Sequence, residues 1–173
     1  EKLREKGHRI TALFRGPEGS PVLPLWCETV VDDEILIPPE QPLTPYVKDC
    51  DIVVAGWIYQ LPELKETGKP VFYWEQGHES LFGDLPDPDT AMGIRASLNG
   101  CYRSGIPIVS VSDFVSRILK ARYDITSPVI TNGLDIEKYV PKFQEKKDDV
   151  RILLVGNPYL RFKAFDDAVK ALD

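Results

Sequence analysis

Three short stretches of this 173-residue chain combine reactive side chains with backbone able to bring them against a ligand. The first is Gly156-Asn157-Pro158-Tyr159-Leu160-Arg161-Phe162-Lys163. A strand ending in glycine lets the backbone approach a ligand closely, and the helix that follows offers unbonded N–H groups and a partial positive charge. Arg161 and Lys163 add two cations within a turn of that terminus. Gly156, Asn157, Arg161 and Lys163 therefore form a candidate diphosphate site, able to stabilise a leaving group as negative charge develops on it. The same spacing also suits a plain βα turn with two solvated cations.

The second stretch is Glu75-Gln76-Gly77-His78-Glu79, a polar cluster just beyond the aromatic run Phe72-Tyr73-Trp74. His78 is its first catalytic candidate and Glu75 a weaker one, either to position a hydroxyl nucleophile or to take its proton. A polar loop with no chemical role has the same composition. The third is Asn132-Gly133-Leu134-Asp135, where Asn-Gly tolerates positive φ and predicts a sharp turn; Asn132 and Gly133 are the candidate hinge beside a cleft. Trp57, after Gly56 at a strand end, is the expected ligand contact, while the other aromatics read as packing. His8 reads as structural or solvated. Nucleophile elbow, Walker loop and GxGxxG fingerprint are all missing from the sequence.

The elements that must position these residues alternate. Residues 1–6 read as the end of a helix stopped by Gly7, entered in mid-course, so an earlier strand is expected before it. Strands are predicted over 9–14, 52–55, 70–74, 106–111, 128–131 and 151–156, with an apolar triplet at Ile35-Leu36-Ile37 among prolines whose pairing is open. Helices are predicted around 62–66, from Asp87 with Ala91, Ile94, Leu98 and Cys101 on one face, and from the cap Ser112 with Phe114, Val115, Ile118 and Leu119. A last helix has Phe162, Phe165, Val169 and Leu172 along one side. Strands alternating with helices predict a parallel α/β sheet built from crossovers, with ligands at the carboxyl ends of the strands.

Apolar and charged fractions of 43% and 28% are those of a globular chain able to bury a core. A formal charge of −6 argues against a nucleic-acid partner, which needs a basic face. No apolar run reaches the roughly 18 residues that span a bilayer. Cys27, Cys50 and Cys101 are scattered without CxxC spacing, which fits reduced thiols in a cytoplasmic protein and no metal site.

In this order the motifs resemble the family 4 (group 1) glycosyltransferases, whose GT-B fold faces two Rossmann-like domains. Leu3-Arg4-Glu5-Lys6-Gly7-His8-Arg9-Ile10 resembles the family's first helix end and second strand. Val109-Ser110-Val111-Ser112-Asp113-Phe114-Val115 resembles its V-S-x-F step. Val129-Ile130-Thr131-Asn132-Gly133-Leu134-Asp135, with Tyr139 and Pro141, is similar to the NGVD…F.P crossing segment, and Arg151 to Leu172 to the VGR…KGFD opening of the donor domain. Two positions depart: Asn157 stands where the family has arginine, and Ala164 where it has glycine.

The resemblance implies transfer of a hexosyl group from a nucleotide diphosphate sugar to a hydroxyl of a glycan, lipid-linked or small-molecule acceptor, with retention and without metal or other cofactor. It implies that Lys163 is the diphosphate lysine and that His78 faces the reacting sugar; Arg161, by its proximity in sequence, is the expected replacement for the missing arginine's charge. The implied organisation is an acceptor-side Rossmann-like domain over 1–140 lacking its first strand, a linker over 141–149, and the first strand and helix of the donor domain over 150–173. The family's paired glutamates should lie beyond Asp173, so these residues alone are expected to be inactive. A cytoplasmic site, with peripheral attachment to the inner membrane face as an option, is implied. Two other readings share the architecture: a GT-B sugar-nucleotide epimerase and a non-catalytic Rossmann-like binding module.

Overall fold

The computed structural model describes residues 2–23, 31–83, 87–134, 136–137, 139–141, 152–157, 159 and 163–172. Its strands are β1 (Thr11–Arg15), β2 (Asp33–Ile37), β3 (Val53–Ala55), β4 (Val71–Glu75) and β5 (Ile108–Ser110). The helices are α1 (Lys2–Glu5), α2 (Leu61–Lys65), α3 (Glu79–Phe82), α4 (Pro88–Tyr102), α5 (Asp113–Tyr123) and α6 (Phe165–Lys170). Among the described residues all strand pairing is parallel, which makes this an α/β protein compatible with a Rossmann-like arrangement. The strands do not form one sheet: β1 pairs with β2, and β3, β4 and β5 form a second sheet in that order.

Strand parity decides what is buried. Successive side chains on a strand point to opposite faces, and β4 alternates accordingly: Val71, Tyr73 and Glu75 are buried while Phe72 is exposed and Trp74 half-buried. The buried face, continued by Ala55 and Ile108, packs on Leu61 and Leu64 of α2, Leu81 of α3, Leu98 and Tyr102 of α4, and Val115 and Leu119 of α5. Each such aliphatic contributes about 1.5–3 kcal/mol on burial. Ile37 at the end of β2 joins the same core with Leu43 and Val47, so both sheets share one apolar interior.

Local signals set the helix starts. The Asp87 carboxylate accepts from the backbone N–H of Asp89 (3.1 Å) and Thr90 (3.0 Å), with Pro88 in the first turn. Ser112 Oγ accepts from the Val115 N–H at 3.3 Å and begins α5. Each cap stabilises its helix by about 1 kcal/mol.

Three expectations need correction. The strand over 128–131 shrinks to a single parallel bridge between Ser110 and Val129, because only Ser110 N–H to Pro128 C=O and Ile130 N–H to Ser110 C=O (both 2.9 Å) are made. The strand over 151–156 is not formed in its described part: residues 152–155 have no ladder, and Leu153 and Val155 are over four-fifths exposed. An extended apolar segment becomes a buried strand only where a partner edge receives it. The sharp Asn132-Gly133 turn is also missing, since neither residue has positive φ and both are exposed. The linker residues 142–149, together with Cys27, Asp135, Arg151, Arg161 and Phe162, lie outside the described residues. Among the described residues no helix is long and apolar enough to cross a membrane.

Candidate active site

Glu75 is the last residue of β4 and shares the parity of Val71 and Tyr73, so the strand turns its carboxylate inward, where it has no exposed surface. Burying a carboxylate is costly unless donors surround it, and three are present. The Gly77 N–H donates to Oε1 at 2.7 Å, the Tyr102 hydroxyl donates to Oε2 at 2.5 Å, and the Tyr73 hydroxyl lies beside the same group. Burial, then the neighbouring Glu75 charge, pushes both tyrosine hydroxyls far up from the ordinary phenol range. These tyrosines therefore stay protonated and act as donors.

His78 completes the cluster. Its Nδ1 accepts the Leu81 N–H at 3.2 Å, where α3 begins, and its Nε2 lies 3.1 Å from the Tyr102 hydroxyl and 3.9 Å from Glu75 Oε2. A ring whose Nδ1 accepts carries its proton on Nε2. The pattern thus assigns one direction of donation: His78 Nε2–H to Tyr102 Oη, and Tyr102 O–H to Glu75. In that tautomer His78 is a hydrogen-bond donor and not a base, and its side chain keeps 12% of its surface exposed. Glu75, wholly enclosed, acts as the group that orients the ring through Tyr102.

Gly77 makes the turn between Glu75 and His78 possible. Its φ is +88°, and a Cβ there would run into the Phe82 ring of α3. The Phe82 ring lies 5.9 Å from that of Phe114 at the start of α5, so α3 links the end of β4 to the helix that follows β5. Tyr102 is in turn backed by Tyr123 of α5, with ring centroids 4.2 Å apart.

The second cluster lies in the Gly156 turn. A Cβ on Gly156 would sit 3.0 Å from the Phe165 ring and 3.7 Å from Lys163 Cδ, so the turn brings Gly156 and Lys163 together. Asn157 Oδ1 accepts the Tyr159 N–H at 3.0 Å, closing a local side-chain turn. Ala164 takes left-handed backbone angles, φ 52° and ψ 37°, immediately before α6. Asp166 and Asp167 occupy the first turn of α6. Arg161 lies outside the described residues.

Sequence reading placed Glu75 and His78 side by side but missed Tyr73 and Tyr102. The signals were present: Tyr73 shares strand parity with Glu75, and Tyr102 lies four residues after Leu98 on the buried face of α4. Trp57 stands half-exposed at 5.7 Å from Tyr59 on the rim of a cleft between β1 and β3. Asn132 and Gly133 are exposed beyond the Ser110–Val129 bridge. Comparison with family models, with curated proteins and with solved structures returns no match.

Proposed function

We propose that the chain is the acceptor-side part of a retaining, metal-independent glycosyltransferase with GT-B architecture, together with the turn that receives the diphosphate of a nucleotide sugar. The observation that carries this reading is the backbone of Ala164. The resembled motif has glycine after its lysine, and glycine is the residue that tolerates positive φ. Here alanine occupies the position and still adopts φ 52°, so the conformation persists where the residue that favours it is gone. A β-carbon held there costs about 1–2 kcal/mol, and strain of this kind gathers at ligand-binding turns.

The remaining chemistry fits. Lys163, whose side chain passes close to Gly156, would supply the cation that neutralises a phosphoryl oxygen as the bond to the sugar breaks. His78, at the carboxyl end of β4, has Nδ1 engaged by the Leu81 N–H and Nε2–H given to Tyr102, an arrangement unsuited to proton abstraction. The acceptor hydroxyl then gives up its proton to the departing diphosphate side, which agrees with retention and leaves Glu75 as an orienting residue. The groups that choose base and sugar belong to the rest of the donor domain.

The test is a transfer assay on the protein expressed from its complete reading frame, with a panel of labelled nucleotide sugars and acceptors carrying free hydroxyls. Release of nucleoside diphosphate matched by label in the acceptor supports the reading. Nucleotide sugar that is isomerised or left intact under every condition refutes it.

A further inference from the structure

His78 holds two neighbours at once, one through each ring nitrogen. Its Nδ1 accepts the Leu81 N–H at 3.2 Å, and its Nε2 lies 3.1 Å from the Tyr102 hydroxyl, which is itself spent on Glu75. The first contact is a helix cap, since His78 precedes α3 and Leu81 is the third residue of that helix, where a capping side chain reaches. Serine, threonine, aspartate and asparagine ordinarily fill this role. None of them changes charge in the range where imidazole does.

A proton arriving at Nδ1 has two opposed effects. The nitrogen that accepted the Leu81 N–H becomes a second donor facing it, so the cap is lost. The same proton creates a cation whose Nε2 lies 3.9 Å from Oε2 of Glu75, an enclosed carboxylate that favours the positive charge. The other titratable or charged groups around the cluster, among the described residues, are Tyr73 of β4, Arg95, Cys101 and Tyr102 of α4, and Arg122 and Tyr123 of α5. The arginines keep their charge, and burial holds the three phenols and the thiol protonated. Acid is therefore felt at the imidazole and at the Glu75 carboxylate.

We infer that His78 is a proton-operated latch: neutral, it caps α3 and closes the segment from Gly77 to Gly83; protonated, it keeps only its Glu75 side and releases the first turn of that helix. The ends of the segment suit such a movement, because Gly77 and Gly83 both have φ +88°, a conformation that glycine takes without strain. Its far side stays anchored. The Leu81 side chain is fully buried, the Phe82 ring lies against Phe114, and Arg122 Nη1 donates to Ser80 C=O at 3.5 Å, so the release is local. The released turn binds one proton more than the capped one, so falling pH favours release and rising pH restores the cap. Acid thus loosens the segment that presents His78 at the carboxyl end of β4. The inference stands on the geometry of the cluster and is independent of the transferase reading.

The test is amide exchange and imidazole nitrogen NMR across pH on the protein expressed from its complete reading frame, and on His78→Asn. Asparagine places Oδ1 where Nδ1 stands and caps without titrating. In the wild type, protection of the Leu81 amide, referred to an unstructured peptide at each pH, should fall about tenfold or more between about pH 8 and about pH 5. The fall should share its midpoint with the ring nitrogens of His78. The amides of Tyr73 and Ser110, which donate to Pro107 and Pro128 C=O at 2.9 Å, should keep their protection, and Leu81 in His78→Asn should be equally protected at both ends of the range. Constant protection of Leu81 in the wild type, a midpoint apart from that of the ring, or a fall shared with Tyr73 and Ser110 overturns the inference without recourse to the variant. An equal fall in His78→Asn overturns it as well.

Discussion

The hydroxyl of Tyr102, the last residue of α4, donates to Oε2 of Glu75, the last residue of β4, at 2.5 Å and within the core. Through that one bond a carboxylate without accessible surface governs His78, whose Nε2 lies 3.1 Å from the same hydroxyl. Tyr102→Phe removes the link while keeping the ring that stacks on Tyr123. Leaving a buried carboxylate short of a donor costs about 1–3 kcal/mol. Urea unfolding should register that loss, and transfer activity should fall with it because His78 loses its orientation; a fully stable, fully active variant would show that the bond orients nothing.

Gly77→Ala attacks the same cluster through the backbone. The added β-carbon meets both a φ of +88° and the Phe82 ring. Strain of this kind costs about 1–3 kcal/mol, and because Gly77 also donates to Glu75, the variant should lose more stability than Gly68→Ala. Gly68 serves as a control, having positive φ but open space where a β-carbon would go. Equal losses in the two unfolding curves would leave the Phe82 contact without consequence.

Alkaline titration tests the enclosure of the tyrosines. The hydroxyls of Tyr73 and Tyr102 lie well above their ordinary value of 10.0, chiefly through burial and next through the Glu75 charge. A raised folded value means that the stability they contribute is complete below pH 10 and is lost as the pH climbs past 10 toward the folded values. The melting temperature should therefore hold up to about pH 10 and then fall, with Tyr73 and Tyr102 ionising only as the protein unfolds. Ionisation of all seven tyrosines before any unfolding would contradict the enclosure.

Ala164→Gly relieves the left-handed alanine before α6. The relief is worth about 1 kcal/mol, so the Gly156 turn should be better formed and nucleoside diphosphate should bind several-fold more tightly in calorimetry. Weaker binding would mean that this backbone conformation does not serve the ligand.

Much of this was readable from residue order. Periodicity located β3, β4 and β5, and the Asp87-Pro88 and Ser112 starts located α4 and α5, because each of these depends on local chemistry. What failed depends on partners distant in sequence. Ile152 to Val155 are as apolar as β3, yet no strand edge among the described residues pairs with them, and Asn132-Gly133 is turn-prone but forms no turn. The split into two sheets could not be seen either, since no residue in β1 or β3 states which strand lies beside it. In the site, composition revealed Glu75 and His78, while their direction of hydrogen bonding required the contact between β4 and the far end of α4. The short helix α3 was hidden because its start depends on His78 Nδ1 accepting the Leu81 N–H.

The central claim is that Lys163, whose side chain passes close to Gly156, receives the diphosphate of a nucleotide sugar. Its most direct measurement is calorimetric titration of the protein from its complete reading frame, and of its Lys163→Ala variant, with a panel of nucleoside diphosphates. The account predicts saturable binding of at least one of them, weakened about tenfold or more in the variant because a charge-assisted contact is worth roughly 1.5–3 kcal/mol. Equal affinities in the two proteins, or no binding to any member of the panel, would contradict it.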